Sequence, residues 1–232
     1  MRRFVFISVF ILLFVIPFQV GSINYRDKEI TLISFSVNIH SDTKKYLEQF
    51  NSYFPSAKNS SADNIIAKIK EQTWGSLTDI LQREIGMIIL PINTLGSSIS
   101  YDDYGFPDVS VGKAQRKGFS KYYMKIDVQI EPEISPYPVN IKAKKDSTIR
   151  PVKLKNGEIK PVVIITLTTY PNNGIIPLGK YVGYSEASTV WSPGDVLILD
   201  GLVNSNYKTD LTTLMSLVNE AINDLTTNIL IK

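Results

Sequence analysis

The stretch between Tyr122 and Ile130 constrains the fold more than any other part of the chain, because from residue 125 onward its polarity alternates strictly. The order is Lys125, Ile126, Asp127, Val128, Gln129, Ile130. Successive side chains of an extended strand point to opposite faces, so this strand has one apolar and one polar face. Such a strand is typical of an antiparallel or mixed sheet that is covered on one side only.

Two predicted helices supply this cover. The clearer one closes the chain, where apolar residues recur at steps of three and four: Leu211, Leu214, Met215, Val218, Ile222, Leu225 and Ile229. The other lies between residues 60 and 86; Ser60 or Ser61 is expected to cap its start, and Gly86 to end it in the left-handed conformation. We expect the Trp74-Gly75 pair to kink or split it. The predicted apolar face of this helix consists of Ile66, Ile69, Thr73, Leu77, Ile80 and Leu81. Lys68 and Lys70 are predicted to lie off this face.

Further strands follow from runs of β-branched and aromatic residues. They are predicted at Ile30–Val37, Met87–Leu90, Val162–Thr169 and about Ile175–Ser185, and the segment 92–118 is predicted to be loop. The near-continuous apolarity of residues 30–33 indicates cover on both faces there. The sequence therefore predicts an α+β fold, with a mixed sheet of about five strands and two helices packed on one face, in a single domain over residues 23–232.

The first 22 residues have the pattern of a secretory signal peptide. Arg2 and Arg3 precede an apolar run from Phe4 to Phe18, and Val20-Gly21-Ser22 matches the site that a signal peptidase requires. The run is about 15 residues long, whereas a membrane-spanning helix needs about 20. Cleavage is therefore favoured over a retained membrane anchor. We expect a secreted or periplasmic protein with no transmembrane segment once the leader is removed.

Composition excludes several classes of protein. The chain has no cysteine and one histidine, so it has no disulfides, no thiolate zinc site and no multi-histidine zinc site. Of 25 basic and 22 acidic residues, the leader holds two arginines, which leaves 23 against 22 and a net charge of +1. A net charge this small does not indicate the basic surface that nucleic-acid-binding proteins carry. No catalytic residue, metal or cofactor is assigned, and a non-catalytic role is favoured over an enzyme that uses carboxylates.

One loop combines carboxylates and aromatic rings. It contains Tyr101, Asp102, Asp103, Tyr104 and Phe106, followed by Pro107 and Asp108. Aromatic rings stack on sugars, and carboxylates bind hard cations, so the loop is a candidate glycan-binding site. The alternative is a structured loop whose rings pack inward and whose aspartates form turns.

A second candidate is a basic segment that leads into the predicted hairpin. Its cations are Lys142, Lys144, Lys145, Arg150, Lys153, Lys155 and Lys160, accompanied only by Asp146 and Glu158. Such a density of positive charge attracts an anionic surface such as phospholipid headgroups or an acidic partner. The alternative is a solvated hairpin whose lysines discourage edge-to-edge pairing.

The order of elements resembles that of three envelope domains: the N-terminal domain of the Tol translocation protein, the periplasmic domain of the curli secretion channel, and the lipoprotein activators of penicillin-binding proteins. The resemblance spans roughly residues 28–230 and rests on order, not on a motif; the chain lacks a lipidation cysteine, and its 132–160 insertion is long. It implies an interaction module that binds an envelope protein, with strand pairing at the hairpin edge. The alternative is a glycan-binding domain that uses the Tyr101–Phe106 loop.

Overall fold

A computed structural model describes residues 23–48, 63–118, 120–132, 157–192 and 213–231. The strands are β1 (Glu29–Ile39), β2 (Ile88–Ile89), β3 (Tyr122–Glu131), β4 (Val162–Pro171) and β5 (Gly179–Glu186). The helices are α1 (Ser41–Glu48), α2 (Asn64–Ile80), α3 (Val111–Lys117) and α4 (Leu214–Leu230). The predicted α+β fold is confirmed.

The five strands form one curled, mixed sheet in the order β2-β1-β3-β4-β5. β1 runs parallel to both β2 and β3, whereas β4 is antiparallel to β3 and β5. Helices α2 and α4 pack against the sheet, as predicted, and they also pack against each other. The alternation of β3 is also confirmed, because Ile126, Val128 and Ile130 are all fully buried in the main core.

A β-bulge in β1 shifts the alternation of its apolar residues by one position. Leu32 pairs with Met124 and Ser34 with Lys125, so Ile33 is an extra residue that forms a β-bulge. On either side of the bulge, apolar residues of β1 face the main core: Ile30, Leu32, Phe35 and Val37. Ile33 instead enters a smaller cluster with Leu95, Ile99, Val109, Val111, Ala114 and Tyr123. The start of β1 is therefore covered on both faces, as expected.

The first long helix, α2, differs from its prediction at its N-cap and at Trp74-Gly75. Its N-cap is Asp63, not Ser60 or Ser61, and the Asp63 carboxylate accepts hydrogen bonds from the amides of Ile65 and Ile66. The helix continues through Trp74-Gly75 without a break and ends in a π-helical turn at Leu81–Ile85. Gly86 then stops it with φ 76°, in the left-handed conformation that was predicted.

The closing helix lies unusually close to β5. A Cβ atom added to Gly183 would stand 1.9 Å from the carbonyl oxygen of Ala221 and 2.6 Å from the Cβ of Leu225. Glycine at this position therefore lets α4 rest directly on the strand backbone. Of the predicted apolar face of α4, all residues from Leu214 onward are buried, and Leu211 lies outside the described residues.

Other boundaries also differ. The segment 92–118 is not all loop, since it holds a 3-10 turn at Gly96–Ser98 and the helix α3, capped by the Ser110 side chain. β5 begins at Gly179 instead of about Ile175, because residues 172–178 form the turn after β4. Within the described ranges, no helix has the length and apolar character needed to cross a membrane.

Candidate functional site

A buried lysine lies at the centre of the most distinctive cluster of side chains. Lys70 of α2 is 4% exposed, and its ammonium donates a hydrogen bond of 2.7 Å to the carbonyl oxygen of Phe35 in β1. The ammonium also lies over three aromatic rings, 4.8 Å from the ring centre of Tyr104, 5.4 Å from that of Phe106 and 5.6 Å from that of Phe35. Cation–π contacts of this kind strengthen when the charge is withdrawn from water.

The aromatic loop is held against this lysine by Asp102. One carboxylate oxygen of Asp102 pairs with the Lys70 ammonium. The other accepts hydrogen bonds from the amides of Tyr104 (3.0 Å) and Phe106 (2.9 Å), which closes the loop into a turn. Because the same carboxylate fixes both the turn and the ammonium, the loop and α2 form one unit.

A second ion pair joins this unit to α1. The carboxylate of Asp63 lies 2.9 Å from the Lys44 ammonium, and the Asp63 amide donates to the Tyr104 hydroxyl at 3.3 Å. Burial opposes the ionisation of Asp63, but hydrogen bonds from Lys44 and two backbone amides outweigh it and hold the pKa of this carboxyl below its usual range. Burial, and then the negative charges of Asp63 and Asp102, raise the pKa of Tyr104.

A shallow cleft of about 200 Å³ opens beside this cluster along β1. Residues 34–37 of β1 line it, together with Ile66, Tyr104 and Pro107. Its charged lining residues are Lys70, Asp102 and the exposed Asp108. A cleft along one strand, with both apolar and charged lining residues, can receive an extended peptide.

The two edges of the sheet differ in their cover. The edge at β5 is occupied by α4, since the amide of Tyr184 donates to Asp224 at 3.0 Å and the carbonyl of Val182 accepts from Asn228 at 2.8 Å. Strand pairing at the hairpin edge, expected from the sequence, is therefore blocked at these two positions. On the β1 side, β2 pairs only with Glu29 and Ile30, and Ser34 makes one bridge to Asp108.

The structure places the predicted loop residues in different environments. Phe106 is 6% exposed and packs edge-on against Phe35 (ring centres 4.9 Å apart), so it presents no ring to a ligand. Tyr101 is partly exposed, and its hydroxyl donates to the Gly96 carbonyl at 3.2 Å. Asp103 is exposed. Of the three rings in the predicted glycan site, Tyr101 and Tyr104 are therefore the ones that reach the surface.

The basic segment lies almost wholly outside the described residues. Its cations outside them are Lys142, Lys144, Lys145, Arg150, Lys153 and Lys155. Of that segment, Lys160 is described, and it pairs with Glu186 of β5. His40, the single histidine of the sequence, is exposed at the end of β1 and accepts a hydrogen bond from the Asp42 amide. Across the described ranges, no three histidine or acidic side chains are grouped so that they could hold a metal ion.

Lys70 is the site residue that sequence reasoning missed. The buried face of α2 consists of Ile65, Ile69, Lys70, Thr73 and Leu77. The available signal was the spacing of Ile66, Lys70 and Trp74, which recur every four residues and so share a stripe of the helix. A lysine on such a stripe is normally assumed to point outward unless a partner is known.

Comparisons with known proteins assign no family to the chain. No family model matches the sequence, and no curated protein matches it. The structure is similar to that of the hypothetical protein CT253 from Chlamydia trachomatis, with a TM-score of 0.42 and 8% sequence identity. The match covers 88% of this chain and 99% of the other.

Proposed function

We propose that this protein is a non-catalytic interaction module of the cell envelope that binds an extended segment of a partner protein along the edge of β1. One observation carries the proposal: the cover of that edge is incomplete. From Phe35 to Ile39, no described strand lies beside β1 on the side away from β3. An uncovered strand edge is a template for pairing with another chain.

Alternate backbone groups of β1 point toward the side on which such pairing would occur. The carbonyl of Ile33 accepts from the Val109 amide at 3.0 Å, and that of Phe35 accepts from Lys70, so both point away from β3. Backbone groups alternate in direction along a strand, and the N–H and C=O of Val37 therefore point the same way. An added segment would bond to Val37 at the open end of the cleft.

The cleft also supplies side-chain selectivity. Ile66, Tyr104 and Pro107 offer apolar contact to one residue of the bound segment, and the exposed carboxylate of Asp108 favours a basic neighbour. We therefore propose a partner segment with an apolar residue beside a lysine or arginine. The envelope location is supported by the leader-like pattern of residues 1–22 and by the resemblance in element order to envelope domains.

Site-specific photo-crosslinking in the native host tests this proposal. A photoreactive amino acid replaces the exposed Asp103, between the cleft residues Asp102 and Tyr104, or, as a matched control, Glu220 on the exposed side of α4. We expect a discrete protein adduct from position 103 and none from position 220. Adducts from both positions, or from neither, contradict the proposal. An adduct that mass spectrometry identifies as polysaccharide favours the alternative, a glycan-binding domain that uses Tyr101 and Tyr104.

A further inference from the structure

The exposed large hydrophobic residues in the described part of the chain lie toward one end of the sheet. They are Ile88, Ile175, Ile176, Leu230 and Ile231. The strand register defines this end: Ile89 pairs with Ile30, Ile30 with Tyr122, and Tyr122 with Pro171, after which the β4–β5 turn begins. We call it the turn end; it consists of the starts of β1 and β3, residues 172–178 and the last residues of α4.

Helix α4 reaches the turn end because it runs antiparallel to β5. The carbonyl of Leu217 accepts from Ser185, and Asn228 bonds to Val182, so the C-terminal part of the helix lies toward the start of the strand. Leu230 and Ile231 follow directly and are exposed. The chain also enters the described fold here, since Tyr25 bonds to Thr169 near the end of β4 at 2.7 Å.

The turn itself is held in place and presents its apolar residues to solvent. The Gln115 side chain of α3 donates to the carbonyls of Pro171 at 2.8 Å and Gly174 at 2.7 Å. The Leu178 amide closes the turn with a 2.8 Å bond to the Thr169 carbonyl. Ile175 and Ile176 nevertheless remain 71% and 79% exposed. Two adjacent exposed isoleucines on an anchored turn indicate a contact surface.

Positive charge predominates among the exposed charged side chains at the turn end. Apart from the Arg83–Glu84 pair, exposed cations at the turn end outnumber exposed carboxylates by six to two: Arg26, Lys28, Arg116, Lys117, Lys121 and Lys180 against Asp27 and Glu29. The contacts of Gln115 with the turn place its neighbours Arg116 and Lys117 beside it. A further acid near the turn end, Glu84, is already paired with Arg83.

We propose that the turn end docks on a bilayer surface that contains anionic phospholipid. Ile175 and Ile176 would insert among the headgroups, while the cations of the turn end contact lipid phosphates. Apolar side chains accompanied by lysine and arginine bind such surfaces through the sum of the two effects. The docking surface shares no residue with the cleft on β1.

Co-sedimentation with phosphatidylcholine vesicles, with and without phosphatidylglycerol, tests the proposal on the protein as its host processes it. The first variant carries Ile175→Ser and Ile176→Ser, and the second carries Arg116→Gln, Lys117→Gln and Lys121→Gln. The control is Lys45→Gln in α1, far from the turn end and 76% exposed. All of these side chains are exposed, so melting temperatures should stay close to that of the wild type.

We expect the wild type and the control to bind anionic vesicles and to be released by salt. The isoleucine variant should bind at least about tenfold more weakly. The triple variant should lose roughly a hundredfold, at about fivefold for each cation. No binding of the wild type to anionic vesicles overturns the proposal. Equal binding of every variant to neutral vesicles also overturns it, because the apolar leader would then hold the protein. Dimerisation that the isoleucine changes abolish would instead identify a second copy as the occupant.

Discussion

The close approach of α4 to β5 makes a strong prediction for one methyl group. In a Gly183→Ala chain the new Cβ would lie 1.9 Å from the Ala221 carbonyl oxygen and 2.7 Å from the Leu225 amide nitrogen. Both are backbone atoms of a helix, so no side chain can rotate to relieve the overlap. The helix must move outward by about 1.5 Å to restore an ordinary contact of roughly 3.4 Å.

The cost of this movement follows from what the helix covers. Overpacking by one methyl group in a dense core costs about 1–3 kcal/mol. The movement also stretches the bonds from Asp224 and Asn228 to the backbone of β5, each worth about 1 kcal/mol. We therefore expect Gly183→Ala to lower the free energy of unfolding by about 3–5 kcal/mol. For a chain of this length the melting temperature should fall by roughly 6–20 °C.

Urea denaturation followed by circular dichroism measures the change, and Gly75→Ala is the matched control. Gly75 lies inside α2, and a Cβ added there meets no atom within 4 Å. That substitution should raise the free energy of unfolding by about 0.5–1 kcal/mol, because alanine favours the helix over glycine. If Gly183→Ala unfolds within about 0.5 kcal/mol of the wild type, a range typical of harmless surface changes, the inferred contact is wrong.

Two further predictions concern the ion pairs around the aromatic loop. Asp102→Ala leaves the buried Lys70 ammonium without its counter-ion and should lower the free energy of unfolding by about 3–5 kcal/mol. Most of this loss should be recovered when Lys70→Met is added. Equal urea midpoints for the wild type and Asp102→Ala would contradict this. Asp63 has a folded pKa below its unfolded value of about 3.9, so its contribution is present above about pH 4 and is lost as pH falls through the folded pKa. The stability gap between the wild type and Asp63→Asn should therefore shrink on acidification, and a gap that stays constant across unfolding titrations at several pH values would exclude this role.

The fold was predictable where the pattern of a single element decides its position. The alternation of β3 and the apolar stripe of α4 fix which side of each element is buried, and the packing of helices on one face follows. The left-handed stop at Gly86 was equally local, because it depends on one residue's backbone conformation.

The remaining features depend on contacts distant in sequence. Lys70 is buried because Asp102, 32 residues away, and three aromatic rings surround its ammonium. Asp63 replaces the predicted serine cap, and it also binds Lys44 and Tyr104. Trp74-Gly75 does not interrupt α2, since Trp74 packs against Phe35 and Phe106 in the core. None of these partners can be identified from local spacing.

The cover of β5 by α4 also has a consequence for how the chain folds. The hydrogen-bonding groups of Val182 and Tyr184 are satisfied by side chains about 40 residues further along the chain. Because synthesis proceeds from the N-terminus, the sheet can assemble while this edge is still unprotected. The edge then stays open to pairing with a neighbouring nascent chain until the final helix emerges and docks. Gly183, which allows the close docking, is therefore also needed for the protection of this edge.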